Sequence, residues 1–104
     1  MRTLCFNVKG QKLARAPECD FSGIVRGTSG YLKAQFATDG EWNGCKKAAA
    51  FYDVYGNEHA APVVDGVCEI PKEALKGEVF AVRLAGMRAG FTITTNKLFI
   101  NQEG

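Results

Sequence analysis

In Tyr31 to Thr38, Leu32, Ala34 and Phe36 alternate with Tyr31, Lys33 and Gln35, which is the two-residue period of a strand with one face buried. The segment DGEWNG, residues 39–44, then supplies the residues that tight connections need and ends the strand. Lys46 to Val54 alternates again, setting Ala48, Ala50, Tyr52 and Val54 on one face and Lys47, Ala49, Phe51 and Asp53 on the other. The pattern leaves open which of these faces is buried. Thr3 to Lys9 and Lys12 to Arg15 read as further strands, as do Phe21 to Arg26, Glu58 to Val64 and Val67 to Ile70. Val79 to Gly86 alternates Phe80, Val82 and Leu84 against Val79, Ala81, Arg83 and Ala85. Phe91 to Thr95 and Lys97 to Gln102 finish the chain as strands.

Turn residues punctuate these runs at short intervals. Lys9-Gly10-Gln11, Gly27-Thr28-Ser29-Gly30, Gly56-Asn57 and Asp65-Gly66 read as turns or loops, and so does Gly86-Met87-Arg88-Ala89-Gly90. Ala16-Pro17-Glu18 interrupts an edge, because proline has no N–H to give to a strand ladder. Pro71 to Gly77 is the one helical candidate: proline suits the first helical position, Glu73 the N-terminal end, Lys76 the C-terminal end and Gly77 the cap. A turn and a half bridges strands but forms no layer. The fold class expected is all-β: one domain spanning residues 1–104, an antiparallel β-sandwich of immunoglobulin-like shape with about seven to nine short strands and one short helical turn near 71–76. A small barrel is the second choice.

The order of the pieces is strand, Asp39-x-x-Trp42-x-Gly44 turn, strand, Cys68-x-Ile70-Pro71-x-Glu73-x-Leu75, hydrophobic strand, and Ile93-Thr94-Thr95-Asn96. This order resembles the small β-sandwich domain of tailed-phage and prophage tail or baseplate proteins, of the baseplate-upper-protein type. The resemblance covers about residues 3 to 102. It implies a non-enzymatic structural or adaptor protein of the virion, made in the bacterial host cytoplasm, that works in symmetric copies, as a homo-oligomer, through contacts with other virion proteins. It also implies a structural role for Trp42. A capsid decoration or head-completion protein shares the virion context and differs in address.

Composition is that of an ordinary globular domain, with 46% hydrophobic and 23% charged residues. The net charge is only +2, and the 13 basic residues are dispersed with a single adjacent pair, Lys46-Lys47. No concentrated basic stripe argues for nucleic acid. No run approaches the roughly 20 apolar residues of a membrane-spanning helix, and MRTLCFNVKGQKL lacks the apolar core of a signal peptide, so neither membrane insertion nor export is expected. Cys5, Cys19, Cys45 and Cys68 lie 14, 26 and 23 positions apart, without the close pairs of zinc or redox motifs, and are expected to be free thiols.

The chain offers little catalytic equipment. His59 is the single histidine, beside a turn and without a Ser, Cys or Asp neighbour at a catalytic spacing. The pairs Asp39/Glu41 and Glu18/Asp20 are the polar residues that loops need, and Gly27-x-x-Gly30 is followed by no helix start carrying Lys-Ser or Lys-Thr. No catalytic residue, cofactor or metal site is assigned. Trp42, the only tryptophan, either stacks on sugars, as in a carbohydrate-binding module contacting wall glycans, or folds back as a structural anchor; the resemblance favours the anchor. Tyr31, Tyr52, Tyr55 and Phe99 are the candidate interface residues. Phe99 stands between Leu98 and Ile100 in a terminal strand that is apolar on both faces.

Overall fold

The computed structural model describes residues Met1–Gly104. Nine strands form two packed sheets, an all-β sandwich whose only helical pieces are two 3-10 turns, Gly40–Trp42 and Lys72–Leu75. The first sheet begins with β1 (Arg2–Lys9), in which the two-residue period turns Leu4, Phe6 and Val8 inward. Gly10, at φ +56°, opens the two-residue connection to β2 (Lys12–Arg15), where a glycine matches the hairpin twist. The sheet is completed by β3 (Leu32–Thr38) and β6 (Val67–Glu69), in the order β2-β1-β3-β6.

The second sheet contains β4 (Lys46–Tyr52), β5 (Glu58–Val63), β7 (Val79–Arg88), β8 (Phe91–Thr94) and β9 (Leu98–Asn101). β7 is its spine. One edge of β7 pairs with β4 from Ala81 to Met87; the other pairs with β9 through Val79–Val82 and with β8 through Ala85–Arg88. The chain crosses from the second sheet to the first at Asp65-Gly66, both at positive φ, where Val64 and Val67 exchange two backbone hydrogen bonds of 3.0 Å. Two positive φ values in succession are the signature of a type I′ turn.

Between the sheets lies one continuous core that includes Phe6, Trp42, Phe51, Phe80, Leu84 and Ile100. Trp42 is fully buried. Its indole N–H donates to the Gly10 carbonyl at 2.8 Å, and its ring lies against Gly86, where an added Cβ would come within 2.8 Å of ring carbons. Exposed sheet edges invite pairing with other chains, and two of the edges here are blunted. Asn96 clips the β2 edge by accepting from the Leu13 N–H at 2.8 Å and donating to the Leu13 carbonyl at 3.3 Å. In edge strand β5, Pro62 removes a donor.

Three local expectations are corrected. The sandwich is not wholly antiparallel, because β1 and β3 run parallel from Arg2↔Leu32 to Val8↔Thr38. A parallel pair needs a long crossover, here residues 16–31, and this segment includes the strand expected over Phe21 to Arg26. That strand does not form. The segment is held instead by the Arg2 guanidinium on the Asp20, Ser22 and Gly23 carbonyls, and by a bridge between Val25 and Glu103. The loop expected over Gly86–Gly90 is strand as far as Arg88; Gly86 marks close approach of the Trp42 ring rather than a turn. The short helical turn expected near 71–76 is present as a 3-10 turn, Lys72–Leu75.

Candidate functional site

Alternation along β4, β5 and β7 sends one set of side chains into the core and the other outward from the second sheet. Ala49 and Phe51 face inward, so Ala48, Ala50 and Tyr52 face outward. Strand register then orders the outward residues in rows across the sheet. Glu58, Tyr52, Ala81 and Phe99 form the first row. Ala60, Ala50 and Arg83 form the second, and Pro62, Ala48, Ala85 and Thr94 the third. Lys46, Met87 and Thr92 close the face.

Alanine and proline are poor strand residues, and solvent-facing strand positions ordinarily suit threonine or β-branched side chains better. Strand propensity therefore gives no reason for Ala48, Ala50, Ala60 and Ala85 on one outward face, where Ala81 is buried among its neighbours and Pro62 blunts the β5 edge. The small side chains leave the face low toward its Lys46–Met87 end. A depression of about 260 Å³ lies among Lys46, Ala48, Ala85, Met87 and Thr92, with an almost wholly apolar lining. Met87 is 62% exposed and Phe99 60%, at opposite ends of the face.

The four aromatic candidates fare differently. Phe99 projects from the face, as the apolar pattern of the last strand suggests. Tyr55 is exposed at the tip of the β4–β5 turn. Tyr31 is exposed too, but it precedes β3 in the other sheet and lies outside the rows. Tyr52 is corrected: although it points outward, only 8% of it is exposed. The Lys97 ammonium sits 3.9 Å from the centre of its ring, and its hydroxyl donates to Glu58 at 2.9 Å. Burial, aided by the Glu58 carboxylate, pushes the Tyr52 hydroxyl above its ordinary value, and Arg83 opposes the shift. Trp42, buried and bonded to Gly10, presents no stacking surface.

Sequence inspection missed Arg83 and the alanines. The alternating alanines of KKAAAFYD and EHAAPV were the available signal, because strand propensity alone does not favour them.

The titratable groups elsewhere serve the fold. Asp53 accepts N–H bonds from Tyr55 and Asn57, each at 2.9 Å, and pairs with the His59 ring at 3.0 Å. The His59 bond, opposed by burial and reinforced by the two backbone N–H groups, holds the Asp53 carboxyl below its ordinary value. The Asp–His pair thus clamps the β4–β5 turn. Cys5 and Cys19 lie side by side, with the Cys5 N–H 3.1 Å from the Cys19 sulfur, and all four cysteines are free. Burial pushes the Cys68 thiol up to about 12. No three His, Cys, Asp or Glu side chains gather into a metal-binding cluster, and no helix is long and apolar enough to cross a membrane.

Fold and face together define an all-β sandwich whose most distinctive surface is an alanine-paved sheet face. No protein-family model matches the chain, and no curated protein matches it.

Proposed function

We propose that this protein is a non-enzymatic structural or adaptor module that works through protein–protein contacts. The observation that carries this reading is the outer face of the second sheet, where small apolar residues occupy positions that folding alone would fill with polar ones. A flat face without deep concavity suits a macromolecule better than a small substrate, since small-molecule sites are usually enclosed clefts. The resemblance carried by the Asp39–Gly44 turn, the Cys68–Leu75 element and Ile93–Asn96 supports a particular setting, the tail or baseplate of a tailed-phage particle, where the chain acts in repeated copies.

The test is mass spectrometry of gradient-purified particles from the producing strain. The chain is expected among the particle proteins at a copy number that is a multiple of the tail symmetry. Its absence from particles that contain the other tail proteins refutes the virion setting.

A further inference from the structure

Three cations of the alanine-paved face have no carboxylate partner within the chain. Arg83 lies in the middle of the face, half-buried and paired in register with Ala50. Its Nε is buried and has no hydrogen-bond partner. Lys46 stands at one end of the face, and Lys97 covers Tyr52 at the other. The single close contact between a carboxylate and a basic side chain in the protein is Asp53–His59. The one carboxylate in the rows, Glu58, already accepts the Tyr52 hydroxyl.

A guanidinium N–H shut off from water and left unpaired is unfavourable. Within the chain it is the Tyr52 hydroxyl that lies beside the guanidinium; a carboxylate for it would come from another molecule, and Arg binds a carboxylate through its planar fork of donors. A second copy of this chain is a poor source. A two-fold contact sets one patch against itself, which here opposes Arg83, Lys46 and Lys97 to the same three cations.

We therefore propose that the outer face of the second sheet docks an unlike protein, whose matching surface is flat and apolar and carries a carboxylate that receives Arg83, with further acidic residues opposite Lys46 and Lys97. The proposal rests on the reading of the chain as a contact protein and specifies the occupant. Four strands spaced about 4.8 Å apart and seven residues long make the face about 19 by 24 Å. That is about half the ~800 Å² that each side of a standard interface contributes. A single face therefore binds weakly, and several copies on one assembly bind firmly together.

The test uses the full chain in the producing strain, with a photoreactive benzophenone amino acid placed at Met87, at Phe99, or at Gln35 on the outward side of the first sheet. On illumination, the probes at Met87 and Phe99 are expected to join one unlike protein at a peptide rich in Asp or Glu, and the probe at Gln35 is not. Arg83→Gln should lower the cross-linked yield about thirtyfold or more, as loss of one partner of a desolvated charge pair does. Lys46→Glu should lower it several-fold, with the larger loss at low salt. Calorimetric melting of each variant checks that it folds; if Arg83→Gln does not, Lys46→Glu at its exposed position carries the same test.

Cross-linking to a second copy overturns the proposal, as does linking from Gln35 but not Met87, or an unchanged yield in folded Arg83→Gln. Linking only to glycan does so as well. Linking to an acidic protein that is not part of any particle upholds the face and its partner chemistry while refuting the virion setting. If no probe at any position links to protein, the contact reading and this proposal fall together.

Discussion

On the first sheet the outward positions of β1 and β3 hold Thr3, Cys5, Asn7, Lys33 and Gln35 with one alanine, Ala37; on the second sheet those of β4, β5 and β7 hold Ala48, Ala50, Ala60, Pro62, Ala81 and Ala85 among Lys46, Tyr52, Glu58, Arg83 and Met87. Both sets follow from the same two-residue period over the same core. Their inward neighbours are alike, with Phe6, Ala34 and Phe36 beneath one face and Ala49, Phe51 and Val82 beneath the other. The core therefore does not dictate the difference. Polar outward residues keep a sheet face in water and discourage association. Alanine does neither, and adds no strand propensity. The contrast shows that the inward half of each strand encodes the fold, and that the outward half is free to encode an interface.

If that division is right, substitutions beneath the second face should damage folding, and substitutions on it should spare folding while damaging association. The largest effect is expected from Trp42→Ala, which empties the space between Gly10 and Gly86 and should destabilise the protein by about 4 kcal/mol in urea or guanidinium titrations. Native tryptophan fluorescence should be blue-shifted and weakly quenched by acrylamide. Gly86→Ala follows, with its Cβ 2.8 Å from the Trp42 ring and 3.1 Å from Cys45; overpacking of this kind costs about 1–3 kcal/mol.

One strand position away, Ala85→Thr points outward and should leave the isolated chain within about 0.5 kcal/mol of its original stability, yet reduce its incorporation into the assembly. Gln35→Thr on the first sheet should change neither. An Ala85→Thr variant as destabilised as Gly86→Ala would erase the distinction between the two sides of the strand.

The smallest effect concerns the turn at the end of the face. Because the His59 bond depresses the folded Asp53 carboxyl, Asp53 stabilises the protein above its unfolded pKa, about 3.9, and that contribution is lost as pH falls through the lower folded value. The melting temperature should therefore drop below about pH 4, and Asp53→Asn should remove part of that drop without touching the behaviour above it.

Much of the sandwich is legible in the sequence because a strand with one buried face writes its period directly: Leu32, Ala34 and Phe36 are all buried, as are Phe80, Val82 and Leu84. Turn chemistry is equally plain at Gly10 and Asp65-Gly66, where positive φ demands those residues. Period carries no information about which strands become neighbours, so the parallel pairing of β1 with β3 is invisible. Glycine is ambiguous for a physical reason: it serves turns and close packing alike, and at Gly86 the partner is a tryptophan more than forty positions away. Tyr52 misleads because outward direction is not exposure; Lys97, distant in sequence, covers its ring. Phe99 has no such cover and stands exposed. Arg83 needs the rows themselves, since only the register places it among alanines with its Nε unpaired.

The central claim is that the second sheet's outer face is covered in the working assembly while the first sheet's is not. Hydroxyl-radical footprinting, comparing the purified free chain with the chain in the proposed particle, measures this directly through Met87 and Phe99 on one side and Cys5 on the other. The account predicts that Met87 and Phe99 are oxidised readily in the free chain and strongly protected in the particle, with Cys5 labelled to the same extent in both. Equal labelling of Met87 and Phe99 in the two states, or protection of Cys5 alone, would contradict it.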